Sequence, residues 1–347
     1  MRAATVWRDV HRRLRALAAV TVWVALGAGI AQAGSAGPGS GASRAVGPGE
    51  VAIFYYPWYG TPVRDGDWQH WQQNGHAPPA EIASNWFPLR GPYSSSDGAV
   101  VRAQMREIAA TGVQEVIVSW WGEGSTEAAR LPLVSSAARA AGLHVAIHVE
   151  PFPERTPAGL LPSLRALAAA GITDVYIYDS PSSPDAEWRA LNAQVPQLRL
   201  FANTNLPGKA RAGGFAGLYT YDVRIYDGSS FPRMCASARK LGLLCAPSVG
   251  PGFDARRATG EPRVRARANG ATYDRMWRGA IRAAGDVVTI TSYNEWHEGT
   301  QIEPAVAVGP PYLSYDGAYG LTGRPAQRAY LDRTATWVAR YRASRGG

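Results

Sequence analysis

Eight short apolar runs, each followed by a helical stretch or a polar loop, recur between Val51 and Thr291. They cover residues 51–56, 114–120, 143–149, 173–178, 198–201, 217–221, 243–247 and 287–291. A run with little polar alternation is buried on both faces, the pattern of a parallel sheet covered by helices. Helices are predicted over 97–110 with Asp97 as cap, up to Ala141 with Gly142 as its stop, and over 157–170, 185–193, 229–241, 271–284 and 326–343. The fifth and sixth runs are joined by a poor helix. Eight such units predict an α/β fold, a closed (β/α)8 TIM barrel, as a single domain. An open doubly wound sheet is the alternative. The lack of a glycine-rich nucleotide fingerprint after the first run counts against it.

The first fifty residues do not join this alternation. Arg2, Arg8, Arg12, Arg13 and Arg15 precede an apolar stretch from Leu17 to Ile30, and Ala31-Gln32-Ala33 ends it. This predicts a signal peptide over 1–33, a Gly/Ser/Pro-rich flexible linker over 34–49 and the barrel domain over 50–347. An uncleaved anchor is the alternative reading. The protein is expected to be secreted or extracytoplasmic, off the membrane once the leader is cleaved, and monomeric. Of the formal charge of +9, five arginines and Asp9 fall in the leader, leaving a modest +5. No basic run interleaved with aromatics occurs, so nucleic acid is not an expected partner.

In a barrel of this kind chemistry sits at the C-terminal strand ends. Those ends read Tyr56-Pro57-Trp58-Tyr59, Trp120-Trp121, Glu150-Pro151-Phe152, Tyr178-Asp179, Asn203 and Asn205, Tyr219 and Tyr221, Ser248, and Asn294-Glu295-Trp296-His297-Glu298. Aromatic faces with amides and carboxylates suit a neutral polyhydroxylated ligand. Glu295 and Glu298 lie three apart, and on a helical turn their β-carbons would be about 5–6 Å apart. Two carboxyls at that distance can divide the work of cleaving a glycosidic bond. A solvated turn with accidental acids is the alternative, weakened by the strand-end position, the flanking aromatics and the third acid, Glu303. The long loop over 57–96, with Asp65, Asp67, Trp68, His70, Trp71 and Trp86, reads as a binding feature. The stretch from Gly250 to Gly270, with Arg256, Arg257, Arg263, Arg265 and Arg267, reads as a solvated loop rather than an anion site. Cys235 and Cys245 either pair or remain buried thiols; neither spacing nor nearby histidines point to zinc.

The blocks Phe54-Tyr55-Tyr56-Pro57-Trp58-Tyr59-Gly60, Asp65 to Trp71, Ile82-Ala83-Ser84-Asn85, Tyr93-Ser94-Ser95, Ser119-Trp120, His148-Val149-Glu150-Pro151, Tyr219-Thr220-Tyr221, Pro247 to Gly252 and Asn294 to Glu303 resemble glycoside hydrolase family 99, the endo-α-mannosidases. The resemblance implies retaining endo-cleavage of α-mannosidic links in mannan or mannose-rich oligosaccharides, with no cofactor and no metal. It implies Glu298 as general acid and Glu295 as a base acting on the sugar's own 2-hydroxyl. Spacing alone leaves a nucleophilic Glu295 equally open. Tyr56, His70, Trp71, Trp120, Trp121, Glu150, Tyr219, Tyr221, Asn294, Trp296 and His297 are the substrate-binding residues it implies. Phe152 and Trp121 stand where some relatives have Tyr, which leans toward mannan-type over glucosylated substrates. A related barrel acting in surface-polysaccharide assembly, or one that binds glycans without cleaving them, is the remaining alternative.

Overall fold

A computed structural model of the chain describes residues 49–153 and 155–345. The leader, and the linker apart from Gly49, lie outside the described residues. Eight parallel strands form the centre: β1 (Glu50–Tyr55), β2 (Glu115–Trp120), β3 (His144–Val149), β4 (Asp174–Ile177), β5 (Arg199–Asn203), β6 (Gly217–Tyr219), β7 in two pieces (Leu244–Ala246 and Ser248–Val249) and β8 (Val287–Ile290). Each strand pairs with the next, and β8 pairs with β1. The first piece of β7 bonds β6 and the second bonds β8, which closes the barrel. Pro247 separates the two pieces because it has no N–H for a neighbour; its carbonyl still accepts from Thr289 N at 3.1 Å.

The helices α1 (Gly98–Ala110), α2 (Thr126–Ala140), α3 (Pro157–Ala169), α4 (Asp185–Asn192), α5 (Pro207–Ala212), α6 (Phe231–Lys240), α7 (Ala271–Ala283) and α8 (Ala329–Ala343) surround the strands. Asp97, Ser125 and Thr156 cap three of them by accepting from Ala99, Ala128 and Gly159 amides at 2.8, 3.0 and 3.1 Å. Gly142 takes the left-handed backbone just after α2, at φ 78°, which a side chain would resist. The barrel lumen is filled with rings: Tyr176 stacks on Phe201 at 4.7 Å, and Phe54 meets Tyr176 and Tyr219 at 5.9 and 5.8 Å. The opposite mouth is closed by Asp174 with Arg199 (2.6 Å, two bonds) beside Glu115, whose carboxyl is pushed up by burial and by the Asp174 charge. Cys235 of α6 and Cys245 of β7 form a disulfide.

Three sequence expectations change. The predicted sixth strand stops at Tyr219 rather than Tyr221, because Tyr221 adopts φ 48° and turns the chain across the mouth. The final helix begins at Ala329, after a separate turn at Gly323–Ala326. The arginines of 250–270 belong to an ordered wall, on which Arg256 and Arg263 stay solvent-exposed as expected while Arg257, Arg265 and Arg267 are partly or fully buried. Phe253–Asp254 pairs antiparallel with Val264–Arg265. Arg256 pairs with Asp254, Arg257 with Glu81 and Arg263 with Glu261, while Arg265 donates to the Val223 and Arg224 carbonyls. Arg267 is buried against the rings of Trp86, Tyr315 and Tyr330 and donates to the carbonyls of Gly299 and Gln301.

The 57–96 loop is likewise held down. Arg130 of α2 donates to Pro57 O, Ser96 Oγ, Asp65 Oδ1 and Gln69 Oε1 at 2.7–2.9 Å, and both Arg130 and Asp65 side chains are nearly inaccessible. Removing Arg130 leaves the Asp65 charge with the Thr61 amide and the Ser96 hydroxyl, at 2.8 and 2.6 Å, but with no opposing charge. Arg130→Met is therefore expected to lower stability by roughly 3–5 kcal/mol, read as a fall in denaturant midpoint at unchanged slope. A loss under about 1 kcal/mol, the range of exposed pairs, would show that the pair does not hold the loop.

Candidate active site

The segment after β8 carries both candidate acids and folds back on itself. Ser292 N donates to Thr300 O at 3.0 Å, Ile302 N to Ser292 O at 2.9 Å, and Glu303 N to Tyr293 O at 2.8 Å. Between these rungs the chain makes one tight turn: Trp296 N donates to Asn294 O and Gly299 N to Trp296 O, at 3.1 and 3.3 Å. The turn is pinned from below. Asn294 accepts from Tyr56 N at 2.8 Å and donates to Tyr56 O at 3.0 Å and Tyr93 Oη at 3.2 Å, locking the turn to the end of β1. Glu303 accepts from Tyr93, Trp296 Nε1, Gln104 and Arg90 at 2.8, 2.9, 2.8 and 3.3 Å. Glu303 is thus an anchor with its lone pairs committed to protein donors.

Glu295 and Glu298 face a centre made by two phenols. The hydroxyls of Tyr56 and Tyr221 share a short hydrogen bond, and Tyr221 donates to Glu298 Oε2 at 3.4 Å. Burial, and then the charges of Glu150, Glu295 and Glu298, push the Tyr56 phenol far up. Tyr221 is pushed up by burial and the same three carboxylates. The charges of three acids therefore act on one pair of hydroxyls. Glu150, after β3, accepts from Ser119 Oγ at 2.8 Å and lies 2.8 Å from His148 Nδ1, whose other ring nitrogen meets the Tyr219 hydroxyl at 2.9 Å.

The two turn acids differ in setting. Glu295 is 2 % exposed and accepts from the His297 amide at 3.0 Å. Burial and the Glu298 charge push its carboxyl well up, while amide bonds from His297 and Glu298 favour its charged form. Glu298 keeps partial access to the mouth. Loss of water around it, followed by the Asp222 charge, pushes it up to about 8, with Arg224 opposing. Mutual repulsion disfavours ionising both carboxyls at once, so the two titrate as a pair. Burial pushes His297 down to about 4, so its imidazole is neutral and offers both a donor and an acceptor.

Aromatic walls complete the mouth. His70 stacks on Trp58 at 4.4 Å and 6°, and lies 6.0 Å from His297. Trp121, half-buried, stands 6.4 Å from Trp58, and Trp120 meets Phe152 edge to face at 5.6 Å.

Four of the residues expected to bind substrate sit behind this surface. Trp71 is 1 % exposed, stacks on Tyr59 at 4.1 Å and donates to Tyr93 O at 2.7 Å. Trp296 and Asn294 are fully buried in the brace just described, and Tyr219 is fully buried under His148. Their polar groups already have protein partners, so they support the surface rather than form it. Asp222 and Arg224, whose charges act on Glu298, were not singled out by the sequence; an acid just past the Tyr219-Thr220-Tyr221 block was the available signal.

The family model for glycosyl hydrolase family 99 matches residues 49–343. The chain is 30% identical to the glycoprotein endo-alpha-1,2-mannosidase-like protein of Danio rerio, across 84% of this chain and 78% of that one. It is 28% identical to the glycoprotein endo-alpha-1,2-mannosidase of Xenopus laevis, across 84% and 77%. Its fold is similar to that of the GH99 endo-alpha-mannosidase from Bacteroides thetaiotaomicron, with a TM-score of 0.77 and 29% identity over 86% of this chain and 99% of that one.

Proposed function

The chain belongs to glycosyl hydrolase family 99 and is a glycoside hydrolase; from that premise we propose that it is an exported, retaining endo-α-mannosidase. Its substrates are mannan or high-mannose glycans, cut at internal α-1,2 links. Glu298 gives its proton to the departing glycosidic oxygen. Glu295 takes the proton from the sugar's 2-hydroxyl as that oxygen bonds to the anomeric carbon, giving a 1,2-anhydro sugar. Water then opens the three-membered ring at the anomeric carbon, losing its proton to Glu298, while Glu295 returns a proton to the 2-oxygen. The two inversions retain configuration.

The observation that carries this reading is the Glu295/Glu298 pair, the first buried and the second partly accessible, beside the Tyr56 and Tyr221 hydroxyls. One acid and one base facing neutral hydrogen-bonding groups suit cleavage of an uncharged sugar. Glu150, His70, His297, Trp120 and Trp121 contact the flanking sugars in this reading.

Incubation with α-1,2-branched mannans and high-mannose glycans is expected to release oligosaccharides with new reducing ends, initially in the α configuration. Release of single mannose units from the chain end, transfer to an added acceptor without hydrolysis, or retention without cleavage would each overturn it. Export rests on the leader pattern. Mass spectrometry of the exported protein is expected to place the first residue at Gly34, and an intact amino terminus in a membrane fraction would contradict that.

A further inference from the structure

The wall beside Glu298 is built from two elements that meet there. After β6 the chain turns at Asp222, whose carbonyl accepts from Ile225 N and Tyr226 N at 3.2 and 3.0 Å. Asp222 Oδ1 accepts from the amides of Arg224 and Ile225 at 2.9 and 3.2 Å, and Oδ2 accepts from Arg224 Nη2 at 3.0 Å. The second element is the hairpin of Phe253–Asp254 with Val264–Arg265. Asp254 N donates to the Glu298 carbonyl at 2.8 Å, and the adjacent Phe253 ring lies 5.7 Å from the Arg224 guanidinium. Arg224 Nη1 reaches Glu261 at 3.1 Å, and Arg265 ties the hairpin to the Val223 and Arg224 carbonyls. Arg224 and Glu298 are thus held against the same two-residue strand.

The side chain of Arg224 is 14 % accessible, and its Nε is buried without a protein partner. Its charge is shared between Asp222 and Glu261, and Glu261 is drawn on in turn by the exposed Arg263. A guanidinium in this position would by itself favour the ionised form of a nearby carboxyl. Asp222 supplies the opposing charge. It is also the residue next to Tyr221, whose hydroxyl reaches Glu298.

We propose that Asp222 and Arg224 are a positioning pair for the acid: Asp222 holds the guanidinium so that its charge does not strip the proton from Glu298. This rests on Glu298 being the general acid. The other groups acting on Glu298 are Glu295 on its own turn, Glu150 after β3, and the phenols of Tyr56, Tyr178 and Tyr221. After burial, the Asp222 charge is the largest influence raising the Glu298 carboxyl, and Arg224 is the largest lowering it. Neither residue is assigned a contact with substrate. They act through the proton that Glu298 carries.

The test is the alkaline limb of kcat/KM against pH, measured on a mannan oligosaccharide with an ordinary sugar leaving group. Asp222→Asn is expected to move that limb to lower pH and Arg224→Gln to move it to higher pH. A displacement on the order of half a unit to one unit changes the rate on that side roughly three- to tenfold. Asp222→Glu and Arg224→Lys keep the charges and are expected to stay near the parent limb. Lowered rates with an unmoved limb, or limbs that move the same way in both neutralising variants, would overturn the proposal. Should Asp222→Asn unfold the turn, the direction of the Arg224→Gln shift decides alone. Failure of the underlying reading shows differently: the parent limb would persist unchanged on a substrate whose leaving group needs no proton.

Discussion

Glu298→Gln is expected to abolish nearly all cleavage of mannan while leaving turnover of an activated aryl mannoside substantially intact. A sugar alkoxide is a poor leaving group, so the bond breaks at a useful rate only if a proton arrives as it leaves. General acid catalysis of this kind contributes roughly 10²–10⁴-fold, and the amide of Gln has no proton of suitable acidity to give. A nitrophenolate-type leaving group departs without one. Glu298 also keeps partial access to the mouth, as a group that must meet a leaving oxygen requires. Glu295→Gln is expected to lose a comparable factor on both substrates, because the base is needed whatever leaves. The contrast between the two variants carries the assignment, since either substitution alone also replaces a carboxyl in a tightly packed turn. Equal losses in both variants on both substrates would mean that the roles are not divided this way. Circular dichroism on each variant separates chemistry from folding: Glu295 accepts the His297 amide at 3.0 Å, and Gln retains an oxygen for it.

The barrel was legible because burial on both faces removes polar alternation, so strands such as Val116-Ile117-Val118 and Val287-Val288 announce themselves without tertiary knowledge. The mouth was legible for the same reason, since strand ends follow from strands. What could not be read was the depth of each residue at that mouth. An aromatic that stacks on a sugar and one that stacks on a neighbour have the same composition. Trp121 and Trp296 look alike in sequence, yet only the Trp296 ring is sealed against Glu303. Glu303 itself reads as a third acid, but three of its four donors, Tyr93, Gln104 and Arg90, lie about two hundred residues earlier. Long-range pairing of that sort leaves no local pattern. The arginines of 250–270 misled in the opposite direction: their number looks like a solvated face until Asp254, Glu81 and Glu261 are found opposite them. The pairing of Cys235 with Cys245 needed the distance between α6 and β7, which ten residues of separation alone do not give.

A 2-deoxy-2-fluoro mannosyl donor with a good leaving group is expected neither to turn over nor to label the protein. The argument turns on which atom attacks the anomeric carbon. In double displacement the Glu295 carboxylate attacks, and fluorine at C2 slows both steps but leaves that nucleophile in place. With an activated leaving group the first step still runs, and a glycosyl ester accumulates on Glu295. In the substrate-assisted route the attacking atom is the sugar's own 2-oxygen, and the fluorinated donor has lost it. Glu295 then has no proton to remove and no bond to form. Its carboxylate is held by amide bonds from its own turn, which suits a base that must keep its position while a proton moves. Intact-protein mass spectrometry after long incubation reads the outcome, with a mannosyl donor bearing the natural 2-hydroxyl as the control that must turn over. A mass gain of one fluoroglycosyl unit mapped to Glu295 would falsify the substrate-assisted route and restore the covalent one. Protection of the unlabelled enzyme by mannan against inhibition by the fluorinated donor would show that the donor occupies the site and that the silence is chemical.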